Sequence, residues 1–89
     1  MRANPDFILK NIGDIYFIIT KTPVDFPAPG NMLTTNETGA YLWNQLQTDS
    51  SMEELTEALC MLYQIDASTA SEDISAFLQQ LQKIGALDS

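Results

Sequence analysis

At Asn36 the hydrophobic pattern of this chain changes its period, and no other feature restricts the fold as much. Before that point the apolar residues come in short β-branched and aromatic runs. Beyond it they recur every three or four residues, almost to the end. Strands read at a period of two and helices at 3.6, so the pattern predicts a sheet first and helices second.

The first run, Phe7-Ile8-Leu9-Lys10-Asn11-Ile12, stops at Gly13-Asp14, a pair suited to a hairpin turn. The second, Ile15-Tyr16-Phe17-Ile18-Ile19-Thr20, is apolar at positions of both parities, which predicts the central and most buried strand. Pro23, Pro27, Pro29 and Gly30-Asn31 predict an ordered loop. Met32-Leu33-Thr34 then reads as a short third strand. A short strand behind a proline-rich loop belongs at a sheet edge.

Asn36 predicts an N-cap for a first helix over 37–47, with Leu42, Trp43 and Leu46 on its apolar face. Ser51 and Glu54 form a capping box for a second helix reaching Tyr63, with the stripe Met52, Leu55, Leu59, Leu62 and Tyr63. A third helix begins at Asp66 or Ser68. It carries Ala70, Ile74, Phe77, Leu78, Leu81 and Ile84 and ends at Gly85. Ala86-Leu87 can fold back as a last extended piece. The expected architecture is one α+β domain over residues 1–89, winged helix-turn-helix-like: a three-stranded antiparallel sheet followed by three helices. Hydrophobic residues are 45% of the chain, enough to build one core at this size.

Charge narrows the functional classes. The net charge is -8, and no Lys or Arg occurs between Lys21 and Lys83. A helix-turn-helix reader of DNA needs cations on its second helix to neutralise phosphates, so nucleic acid is excluded as a partner. Anionic membrane surfaces are disfavoured for the same reason. No apolar run approaches the roughly 20 residues of a membrane span, nor the core of a signal peptide, so a cytoplasmic location is expected.

Catalytic chemistry finds little to stand on. The sequence has no histidine, and Cys60 is its one cysteine, so neither an imidazole base nor a thiolate metal set is expected. Cys60 reads as a small hydrophobe on the second helix. Glu53, Glu54 and Glu57, and the pair Glu72-Asp73, read as solvated helix faces rather than acid–base pairs. The four glycines are widely spaced and form no phosphate loop. The expected class is a non-catalytic binding module without cofactor or metal.

Three stretches carry a family resemblance. Leu33-Thr34-Thr35-Asn36-Glu37-Thr38-Gly39-Ala40-Tyr41-Leu42-Trp43 is similar to the start of the first helix in PqqD-like proteins, the recognition elements for precursors of ribosomally made, modified peptides. Glu54-Leu55, Leu59 and Tyr63 follow in order. Asp73-Ile74, Phe77-Leu78, Leu81 and Gly85-Ala86-Leu87 resemble the end of that family's last helix. The resemblance spans about residues 6 to 88. It implies a winged-helix-like domain that binds the leader segment of a precursor peptide. The leader adds as a strand beside the third strand, toward the third helix, and is presented to a modifying enzyme, often a radical SAM protein. The family's namesake serves pyrroloquinoline quinone synthesis, and the resemblance does not assign that pathway here.

Transferred to this sequence, the expected peptide-binding residues are Met32, Leu33 and Thr34 on the edge, with Asp73, Phe77, Gln80 and Leu81 on the third helix. Open backbone groups would supply affinity and side-chain pockets specificity. The alternative is a protein-docking module without leader binding, using Ala58 and Met61 of the second helix.

Overall fold

The computed structural model describes residues 1–21 and 32–88. The proline-rich segment lies outside the described residues. In chain order the elements are β1 (Arg2–Ala3), β2 (Phe7–Ile12), β3 (Ile15–Thr20), β4 (Met32–Thr35), α1 (Glu37–Gln45), α2 (Met52–Tyr63), α3 (Ala67–Ile84) and β5 (Leu87–Asp88). Strands β2, β3 and β4 form an antiparallel sheet in that order, while β1 and β5 form a separate two-residue antiparallel ribbon. The fold is α+β, with three helices following the three-stranded sheet.

Two six-residue strands and a tight turn build the hairpin. Ile12 pairs with Ile15 around Gly13-Asp14, and Gly13 takes φ 63°, a left-handed conformation open to glycine at little cost. At the other end Phe7 pairs with Thr20, and the Lys21 N–H donates to the Asp6 carbonyl at 2.7 Å. The register puts Leu9, Ile18 and Leu33 in one cross-strand row. Phe7, two residues from Leu9, shares that face; Phe7 and Ile18 belong to the core, and half-buried Leu9 and Leu33 pack against it.

The opposite face is less covered than the sequence predicts. Of β3 only Ile18 is fully buried; Tyr16, Phe17, Ile19 and Thr20 are half-buried and Ile15 is 47% exposed. The strand is central but not sealed on both sides, because all three helices contribute their buried residues to one core with Ile18. Apolarity at both parities therefore does not mark double burial here.

Each helix begins on the residue its sequence nominates. The Gly39 N–H donates to Asn36 Oδ1 at 3.0 Å. Ser51 and Glu54 exchange both bonds of the capping box, at 3.0 and 3.1 Å. Asp66 is the third cap: Thr69 N–H donates to Asp66 Oδ1 at 2.7 Å. That bond holds the Asp66 carboxyl below its ordinary range. Helix α3 ends where Gly85 takes φ 77° and Ala86 N–H returns to the Leu81 carbonyl.

Helix α1 stops at Gln45, two residues short of the expected end. The Gln45 carbonyl accepts the buried Ser50 hydroxyl at 3.1 Å, which ties the connection to α2 against the helix end. The chain's start is fastened to the same corner. The Met1 carbonyl accepts Ser50 N–H at 2.8 Å, and the Met1 ammonium meets Asp49 at 2.7 Å. That ammonium lowers the Asp49 carboxyl.

Helix α2 departs from its predicted stripe in its last turn. Leu55 and Leu59 are fully buried, but Leu62 is 51% and Tyr63 38% exposed. The chain turns at Gln64 in a left-handed conformation (φ 53°), leaving that turn at the rim of the core.

Candidate functional site

The two outer strands of the sheet differ in what they offer. Among the described residues no strand pairs with the outer side of β4 or of β2. In an antiparallel pair every second residue turns its N–H and C=O away from the partner, so each edge holds unpaired backbone groups. Strand β4 carries Met-Leu-Thr-Thr, with no charge and no proline. Strand β2 carries Lys10.

Helix α3 runs beside β4, and a cleft opens where they approach the start of α1. It has a volume of about 250 Å³ and a mainly polar wall. Leu42 and Phe77 supply the apolar part, and Thr35, Asn36, Thr38, Asp73 and Gln80 the polar part. Gly39 sets its width. A Cβ there would lie 3.1 Å from Phe77 Cε1 and collide with the Thr35 side chain, so a larger residue would push α1 away from β4 and α3.

Asp73, Phe77 and Gln80, expected on the third helix, come together in this cleft. Met32, Leu33 and Thr34 form the strand that leads into it at Thr35. Their exposure alternates along the strand: Met32 and Thr34 are exposed, Leu33 and Thr35 half-buried. Leu81 is elsewhere. It is 0% exposed in the core, because it sits one turn beyond Phe77 on the inward side of the helix. It supports the wall from beneath and has no surface to offer a ligand.

Sequence reasoning missed Thr35, Asn36, Thr38, Gly39, Leu42 and Ala76 as lining residues. Asn36 read as a cap alone, yet it caps α1 and faces the cleft together. The one signal was Gly39 inside a helix, where glycine costs helical stability and marks a close approach.

For the alternative docking surface, Met61 is 80% exposed and Ala58 half-buried. Cys60 is half-buried. Among the described residues no group of His, Cys, Asp and Glu is arranged to hold a metal ion, and no helix is long and apolar enough to cross a membrane.

Comparison with known proteins matches residues 18–87 to the family described as coenzyme PQQ synthesis protein D (PqqD). The matched span takes in β4, all three helices and every residue of the cleft. No curated protein matches the chain. A solved structure described as TbiB1 in complex with the TbiA(beta) leader peptide superimposes with a TM-score of 0.75. The alignment covers 100% of this chain and 96% of that one at 21% identity, so the likeness is one of fold.

Proposed function

This chain belongs to the PqqD family, and from that premise we propose that it binds the leader segment of a ribosomally made precursor peptide along β4 and presents it to a modifying enzyme. The observation that carries the proposal is the uncharged outer edge of β4 running into the cleft against α3. A guest strand on that edge would satisfy the outward N–H and C=O groups. Every second side chain of the guest would then point toward α3. A structure of this fold described with a leader peptide supports the same reading.

The cleft favours a particular side chain. Phe77 and Leu42 suit an aliphatic stem, while exposed Asp73 and Gln80 suit a cationic or amide head. The domain itself does no chemistry in this proposal. Its sequence has no histidine and one cysteine, and therefore none of the pairings by which imidazole activates a nucleophile. The reaction belongs to the partner enzyme, a radical SAM protein in the version we favour. The encounter takes place in the cytoplasm, where the precursor is made.

Titrating an isotopically labelled sample with a precursor leader tests this directly. Saturable amide shifts at residues 32–35 and 73–80 are the expected result. Shifts confined to residues 52–63 would favour the docking reading instead, which rests on the exposure of Met61. No binding by any precursor encoded beside this chain's gene would sink the proposal.

A further inference from the structure

A second cleft lies between α2 and the first two turns of α3. It measures about 770 Å³ and is walled mainly by apolar surface. Met52, Thr56 and Cys60 line it from α2, and Ala67, Ser68 and Ser71 from α3. The α3 wall is made of small side chains, which let another backbone come close. Tyr63, one turn beyond Cys60 on the same flank of α2, is 38% exposed and extends the apolar strip.

The placement separates this cleft from the leader site. At 3.6 residues per turn, its α3 residues lie roughly half a turn round the helix from Asp73, Ala76 and Gln80. Both flanks of α3 can therefore be occupied together. The charged side chains that line it are of one sign. Glu53 and Glu57 line the cleft, and exposed Glu72 stands outside its α3 wall. No Lys or Arg lies between Lys21 and Lys83, and the cation near the start of α2, the Met1 ammonium, is paired with Asp49.

We infer that this cleft docks a cationic amphipathic helix of a partner protein while the leader site on the other flank stays free. An apolar groove between two helices accepts the apolar stripe of a third, and carboxylates on its rim select Lys or Arg beside that stripe. The combination excludes an acidic helix by repulsion. It also excludes nucleic acid, whose phosphates would meet the same carboxylates.

The probe is a synthetic amidated peptide of about 15 residues, long enough to form a helix when bound. It carries leucines at helical spacing flanked by lysine and arginine. A scrambled peptide of equal composition and a version with glutamates in place of the cations serve as controls. Amide shifts are followed on the full chain. Saturable shifts at Glu53, Thr56, Glu57, Cys60, Ser68 and Ser71 are expected, with the scrambled peptide at least about tenfold weaker. Filling the groove by Ser71→Trp should abolish the shifts. The surface variant Glu53→Lys/Glu57→Lys, which leaves the Glu54 cap in place, should weaken binding by a similar factor. Asp73→Asn should leave it unchanged. Equal binding by the ordered and scrambled peptides would overturn the inference. So would shifts on 32–35 and 73–80, or no saturable shift at all. Each of these outcomes is independent of whether a leader binds β4.

Discussion

Strands β2 and β4 are both edges of one sheet, and they are built to opposite ends. The β2 edge carries Lys10. Charges and prolines on an edge strand discourage pairing with a stranger, since a buried ammonium or a missing donor spoils the added ladder. The β4 edge, Met32–Thr35, carries neither and leads to a cleft on α3. A cleft of about 450 Å³ also lies by β2, but Lys21 is among its lining residues and Trp43 and Gln47 form its far wall. One edge carries a charge and the other none, so in the proposed complex edge chemistry, more than exposure, selects where a guest strand joins.

The largest expected effect comes from closing the uncharged side. Ala76→Trp places an indole in the cleft from an exposed position, so folding is retained while leader affinity falls by at least about tenfold, or 1.4 kcal/mol. Isothermal titration beside a thermal melt measures both. If affinity survives, the comparison of edges fails. Gly39→Ala is next. The added Cβ meets Thr35 and Phe77, and overpacking of this kind costs about 1–3 kcal/mol of stability in a denaturant titration. It should also weaken leader binding by displacing α1 where it meets β4 and α3 at the cleft.

Asp73→Asn sharpens the question of the guest's side chain. A loss of a few fold for a leader with Lys or Arg at the matching position, and none for a neutral leader, assigns the carboxylate its partner. Lys10→Thr on the charged edge should change leader affinity by less than about twofold. It should raise self-association, read by sedimentation at high concentration, because the gatekeeping charge is gone.

The smallest effect lies at the start of α3, away from both edges. The Asp66 carboxyl is lowered by the Thr69 N–H, so its folded value lies below the roughly 3.9 of an unfolded aspartate. Its stabilising contribution is present above that value and is lost as pH falls through the folded one. Thermal melts between pH 7 and pH 2 should show Asp66→Asn with a shallower acid limb than the wild type.

Much of this architecture was legible before any coordinates. The β2–β3 hairpin, both of its strand ranges and the Ser51–Glu54 capping box follow from local chemistry that acts within a few residues. The ribbon of β1 and β5 was not legible as such. Two residues carry no period, and theirs is held from outside: Ala3 N–H donates to Leu46 and Asn4 N–H to Ala86. The site divides the same way. Asp73, Phe77 and Gln80 share a helix flank, so spacing and family likeness grouped them. Spacing also grouped Leu81 with them, since an apolar stripe does not say which member faces the core and which its margin. Thr35, Thr38 and Gly39 joined the cleft only because β4 and the start of α1 meet α3 there, a contact between residues far apart in the chain.

Strand β4 has four residues, so a guest gains roughly four backbone hydrogen bonds along it. At about 1 kcal/mol each, against the ordering of a floppy segment, that length alone makes a loose grip. In the proposed complex, discrimination would then fall to the cleft against α3, and residence on the domain would be brief. A short landing strip suits a courier, which must surrender each cargo before it can collect the next.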